Sequence, residues 1–194
     1  ATTAAISVSS GGTYTVTATN AAGCTDTESA SVTVNALPTA VITPSGSTTF
    51  CQSGSVTLTA SGGTGYLWSN GSILNAIMVN DGGFYTVTVT NAAGCTDTES
   101  ATVTVNALPK AVITPSGPTT FCQGGSVILT ASGGTGYLWS NASTLNAITV
   151  SDGGLYTVTV TNAAGCTDTE SASVTVNSLP TAVITPSGPT TFCQ

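Results

Sequence analysis

The sequence predicts an all-β chain of small, antiparallel two-sheet sandwiches in tandem, on three observations. The 194 residues fall on themselves when shifted by 71 positions. Apolar and polar residues alternate with period two in short runs bounded by turn residues. No stretch carries a helical period. Segments Leu37–Asn106 and Leu108–Asn177 differ at only ten of seventy positions, and the cysteines keep the same step, as Cys24, Cys95, Cys166 and as Cys51, Cys122, Cys193. A period of 71 exceeds the roughly 20–50 residues of most solenoid units, so each period reads as a small domain in its own right.

Taken in order along one repeat, the first apolar run is Ala40-Val41-Ile42, closed by Pro44-Ser45-Gly46. Val56, Leu58 and Ala60 then alternate with Ser55, Thr57 and Thr59, which places the apolar set on one face of a strand. Ser61-Gly62-Gly63 turns the chain into Tyr66-Leu67-Trp68, and Ala76-Ile77-Met78-Val79 follows. Asn80-Asp81-Gly82-Gly83 leads to the alternating run Tyr85–Thr90, and Asn91-Ala92-Ala93-Gly94 leads to the last, Thr102–Val105. These punctuating residues tolerate turn geometry. Six or seven short strands without a helix make a two-layer sandwich.

The termini fall inside repeats. Ala1 aligns with Ser72, and Gln194 with Gln52 and Gln123, so a 35-residue tail and a 17-residue head flank two whole repeats. A composite of head and tail lacks the counterpart of Ser53–Gly71, with two core strands and the only Trp of a repeat. The expectation is therefore a window of a longer polypeptide. No basic segment followed by an apolar one marks a signal peptide, and no run approaches the ~18 apolar residues of a membrane helix.

Composition narrows function. There is no His, one Lys, and eight Asp or Glu, for a net charge of −7. Imidazole-dependent nucleophiles and His-bearing zinc sites are thereby excluded, and a single Lys cannot make a nucleic-acid-binding surface. Ser and Thr supply 63 residues and Gly 22. The expectation is no enzyme, no cofactor, no nucleic-acid partner and no transmembrane segment.

Asp81-Gly82-Gly83-Phe84-Tyr85 and Asp152–Tyr156 carry the D-x-G-x-Y pattern that leads into strand F of immunoglobulin-like domains, with the Tyr forming the tyrosine corner. Ser10–Tyr14 keeps the Gly and Tyr without the Asp. Trp68 and Trp139 stand where a strand-C core Trp stands. Where antibody-type domains have Cys two residues after the Tyr, this chain has Val87 and Val158. A Cys before G-S-V-T-L-T-A and a G-C after Y-T-V-T-V-T-N resemble the tandem Ig-like and PKD-like repeats of very large secreted surface proteins of gliding bacteria. The resemblance spans the chain and implies Ig-like segments at 1–35 (the C-terminal part of a repeat), 36–106, 107–177 and 178–194 (the N-terminal part of the next). It also implies a structural core of Trp68, Tyr85, Trp139 and Tyr156. It is specific for architecture and weak for activity.

Six Cys at fixed repeat positions in a His-free chain read as disulfides of an oxidising compartment, against a lesser reading as buried thiols. Two registers stay open. Within a repeat, Cys51 pairs with Cys95 and Cys122 with Cys166. Ig topology, however, puts these positions at opposite ends of one sandwich, beyond the ~7 Å Cα limit, and a head-to-tail junction brings Cys51 to Cys166 instead. The within-repeat pairing is placed first, since two Cys in a small domain usually serve that domain. Cys24 and Cys193 pair outside this window.

Asp26/Glu28, Asp97/Glu99 and Asp168/Glu170 sit at i and i+2 on a strand, about 6.6 Å apart on one face. They imitate a glycosidase pair but lack a pocket to raise one pKa. Asp97, Glu99, Asp168 and Glu170 are weak calcium candidates without a dense D-x-D-x-D-G loop; the favoured reading is a solvated edge that discourages strand pairing. Asp81 and Asp152 are expected to shape their turns through backbone hydrogen bonds. Asn70-Gly71-Ser72 and Asn141-Ala142-Ser143 match the glycosylation sequon. Lys110 replaces Thr39 and Thr181 and reads as a surface substitution.

The favoured function is a structural repeat region of an extracellular, secreted bacterial filament or surface fibre that self-associates, with glycan or cell-surface contacts as further partners. The alternative is an adhesin stalk, or a glycan- or protein-binding module, that holds a distal domain away from the cell. A spacer for a catalytic domain is a third. The loop Ser61–Gly65 and its copy Ser132–Gly136 are identical, small and bland, which favours the structural reading over a binding surface.

Overall fold

The computed structural model describes residues 5–188, 190 and 191. A hairpin of β1 (Gly12–Thr19) and β2 (Thr25–Val32) comes first. The first complete repeat forms β3 (Val41–Pro44), β4 (Thr49–Cys51), β5 (Val56–Ser61), β6 (Gly65–Trp68), β7 (Ala76–Val79), β8 (Gly83–Thr90) and β9 (Thr96–Asn106). The second forms β10 (Val112–Pro115), β11 (Thr120–Cys122), β12 (Val127–Ser132), β13 (Gly136–Trp139), β14 (Ala147–Val150), β15 (Gly154–Thr161) and β16 (Thr167–Asn177). All described elements are strands; no helix among the described residues is long and apolar enough to cross a membrane.

The fold is an all-β tandem of Ig-like sandwiches. Compact packing divides it into two units, residues 1–48 with 55–104, and residues 49–54 with 105–194. In the second unit one sheet has the order β10-β12-β14 and the other β11-β16-β15-β13. The first complete repeat has the orders β3-β5-β7 and β4-β9-β8-β6.

One feature departs from the antiparallel expectation. The segment read as a lead-in to strand B is itself a strand, β11, and it runs parallel to β16, with Cys122 opposite Asn177. The 11-residue β16 makes this possible. Thr167–Val174 pair antiparallel with β15, and Thr175–Asn177 continue past it to pair with β11.

Period-two alternation places the core. In β12, Val127, Leu129 and Ala131 face inward while Ile128 and Ser132 do not. They meet Ile148 and Val150 of β14, Trp139 of β13, and Val158 and Val160 of β15. Leu129, Val158 and Val160 are fully buried, and burial of such side chains stabilises by roughly 1.5–3 kcal/mol each. Trp139, 2% exposed, satisfies its indole N–H by donating to the Leu145 carbonyl at 2.9 Å, as Trp68 does to Leu74. Gly133, at φ +106°, marks a close approach: a Cβ there would fall on the Lys110 carbonyl.

The tyrosine corners form at all three positions. Tyr85 and Tyr156 donate to the carbonyls of Asp81 and Asp152 at 3.0 Å, and Tyr14 to that of Ser10 at 2.9 Å. The corner uses a main-chain acceptor, so Ser10 substitutes without loss. The expectation for the Asp81 and Asp152 carboxylates is corrected accordingly: the carbonyl shapes the corner.

Candidate functional site

The best-organised polar constellation lies where the β15–β16 turn meets the segment entering its repeat. The turn Asn162-Ala163-Ala164-Gly165-Cys166 is closed by its first residue. Asn162 Oδ1 accepts from the amides of Ala164 and Cys166, both at 3.0 Å, the local pattern that makes Asn a turn former. Gly165 supplies the positive φ of +80°. The same Asn reaches outward, and its Nδ2 donates to the Ala107 carbonyl at 2.9 Å. Two positions past the Cys, Asp168 Oδ2 accepts from the Ala111 amide at 2.9 Å.

Residues Asn106–Ala111 are thus held by side chains of the turn and of the first residues of β16. They are held from a second side too. The Gln52 amide donates to the Asn106 carbonyl at 2.9 Å, and the Leu108 amide donates to Gln52 Oε1 at 3.2 Å. Cys51, just before Gln52, is disulfide-bonded to Cys166 across a Cα–Cα distance of 5.7 Å. Cys166 is 1% exposed, with Sγ 4.0 Å from the Asn106 carbonyl oxygen.

This bond corrects the pairing placed first. Cys51–Cys95 and Cys122–Cys166 do not form; Cys95 and Cys122 are free thiols. The reason is strand length. Cys122 is registered with Asn177 at the end of β16, whereas Cys166 precedes its start. Eleven residues of extended chain separate those ends by about 35 Å, far beyond disulfide reach. Cys24 is an exposed free thiol, and Cys193 lies outside the described residues.

The acidic pairs divide by role. Asp97 and Asp168 are half-buried, each with one oxygen on a backbone amide, Ala40 for Asp97 at 2.8 Å. For these two the solvated-edge expectation is corrected. Glu99 and Glu170 are exposed. Among the described residues no group of three or more His, Cys, Asp or Glu could hold a metal ion. Three shallow surface depressions of about 200, 280 and 320 Å³ contain one carboxylate each, Glu28, Asp152 and Asp26. Asn70 and Asn141 of the sequons are exposed and accept from the Ser72 and Ser143 amides at 3.1 Å.

Asn162 and Gln52 were not singled out by sequence. Their signal was present: an Asn opens every A-A-G-C turn, and a Gln follows each described pre-strand Cys.

No protein-family model and no curated protein matches the chain. Among solved structures, the chain is similar to extracellular domains 3–5 of Drosophila OTK at 17% identity and TM-score 0.45, with 86% of this chain and 71% of that chain covered. It is similar to a Ca2+-stabilized adhesin that helps an Antarctic bacterium reach out and bind ice, at 18% identity and TM-score 0.44, covering 88% of this chain and 57% of that one. A variant of titin domains I67–I69 matches at 20% identity and TM-score 0.45, over 86% and 75% of the two chains.

Proposed function

We propose that this chain is a structural repeat region of an extracellular bacterial filament or surface fibre, from a large secreted protein with Ig-like and PKD-like repeats. The observation that carries the reading is the Cys51–Cys166 bond. It joins two consecutive 71-residue repeats covalently, and such a bond belongs to an oxidising compartment. A linkage of this kind suits a load-bearing array, because it ties successive repeats to each other. Near-identical repeats present the same surface at every period, so weak lateral contacts recur and add. With about 5% charged residues, little like-charge repulsion keeps neighbouring chains apart. Self-association is the principal partner interaction under this reading, with glycan or cell-surface contacts secondary.

Electron microscopy of native material tests the proposal. Regular fibres with a spacing set by the 71-residue unit are expected. Isolated thin stalks of variable bend would overturn it in favour of an adhesin stalk.

A further inference from the structure

We infer that the Cys51–Cys166 bond is one rung of a repeating register, and that Cys95 and Cys122 are half-sites for the same bond to further 71-residue repeats. This rests on the structural-array reading. The bonded pair has two halves: a pre-strand cysteine at the end of β4 and a turn cysteine before β16. Each half is present again without its complement.

The turn half recurs at Cys95. Asn91 Oδ1 accepts from the Ala93 and Cys95 amides at 3.0 Å, and Asn91 Nδ2 donates to the Ala36 carbonyl at 2.8 Å. Asp97 holds the Ala40 amide, and Cys95 Sγ lies 3.9 Å from the Asn35 carbonyl oxygen. Position for position this is the surrounding of Cys166, including the sulfur-to-carbonyl approach. The pre-strand half recurs at Cys122. There the Gln123 amide donates to the Asn177 carbonyl at 2.8 Å, as Gln52 does to Asn106. Cys122 is exposed.

The bonded pair is separated by 115 positions, one period plus the 44 between the two cysteines of a repeat. That spacing places the partners of Cys95 and of Cys122 outside residues 1–194. The partner class is therefore defined: the turn cysteine of a following repeat for Cys122, and the pre-strand cysteine of a preceding repeat for Cys95. Such a repeat comes either from the same polypeptide or from a second copy of it.

Bond formation needs an oxidant of the small-molecule disulfide class, such as oxidised glutathione. The Cys122 thiolate attacks one of its sulfurs and releases one thiol. The turn cysteine's thiolate then attacks Cys122 Sγ in the mixed disulfide and releases the second. Two protein thiols lose two electrons and two protons, and the oxidant is reduced to two thiols.

The test extends the chain by copying residues 124–177 after Gln194, which completes the next repeat, with one marker substitution in the appended turn peptide. The protein is oxidised in a glutathione redox buffer, its thiols are trapped, and it is digested without reduction for mass spectrometry. Ser53 against Gly124, Lys110 against Thr181, Thr102 against Ser173 and Ala18 against Val160 tell the peptides apart. The expected result is loss of the Cys122 thiol into a bond with the appended turn cysteine, with Cys51–Cys166 retained. The unextended chain in the same buffer distinguishes the sources. Covalent multimers joining Cys122 to Cys24 or Cys95 of another copy point to a second copy, and monomers with reduced Cys122 point to the same polypeptide.

A reduced Cys122 in the extended chain, or a Cys122–Cys166 bond, overturns the inference. Cys51→Ser gives a second check, because it frees Cys166, and a Cys122–Cys166 bond in that variant is equally fatal. Regular fibres that contain reduced Cys122 would sink the register alone, whereas a full register in isolated stalks would sink the filament reading alone.

Discussion

The hairpins β1–β2 and β15–β16 have nearly the same sequence, and their comparison separates what a hairpin encodes from what a domain supplies. Both pair eight residues with eight in the same register, Gly12 opposite Val32 and Gly154 opposite Val174. Both close on an Asn whose Oδ1 takes two amides, and both form the tyrosine corner. They part at the inward face. Val16 is 64% exposed whereas its counterpart Val158 is fully buried, and Ile6 is 74% exposed against 6% for Ile148. Pairing and turn geometry are local properties; burial is conferred by the facing sheet.

The largest effect should come from a charge on that face. Val158→Asp buries an unpaired carboxylate and should destabilise the second unit by roughly 3–5 kcal/mol, whereas Val16→Asp should stay within about 0.5 kcal/mol. Denaturant unfolding of both variants checks this, and equal losses would break the comparison. Next, Cys51→Ser should lower the stability of the second unit by about 2–4 kcal/mol under non-reducing conditions, while Cys24→Ser, on the free-thiol hairpin, should change little. The shift in unfolding midpoint measures each.

The aspartates sharpen the contrast further. Asp168 holds the Ala111 amide, whereas Asp26 only accepts from the adjacent Thr27 amide. Asp168→Ala should cost about 1–2 kcal/mol and Asp26→Ala less than about 0.5 kcal/mol by thermal unfolding. The smallest effect compares the two complete repeats. Ala142 has a φ of +65° where the first repeat has Gly71 at +84°. Ala142→Gly should therefore stabilise by up to about 1 kcal/mol, and Gly71→Ala should destabilise by a similar amount in calorimetry.

Much of the fold was legible because its signals are local. Val56, Leu58 and Ala60 alternate on one strand, and Tyr85 and Tyr156 announce the corner from four residues of context. The disulfide register was not local. The Cys51–Cys166 pair was read only as the alternative, from the topology that sets the two cysteines of one repeat at opposite ends. The length of β16 and the parallel β11, which exclude Cys122–Cys166, are recorded by no residue near a cysteine. Asp168 was misread for the same reason: its partner, the Ala111 amide, lies 57 residues away. Glu170, by contrast, is exposed, as a solvated edge requires.

The Cys51–Cys166 bond also decides where mechanical tension runs. A pull applied before Cys51 and after Cys166 passes through a single sulfur–sulfur linkage, and the 114 residues between them hang beside the load path rather than on it. Both Trp-centred cores lie largely within that bypassed loop. Unfolding either one under tension releases only the strands outside the loop, such as β16 with its core residue Val174, because the covalent shortcut has already fixed the span of the rest. Reduction changes this at once. It places the loop in series with the load and frees roughly 380 Å of contour, so the segment between Cys51 and Cys166 is a short tether when oxidised and a long spring when reduced.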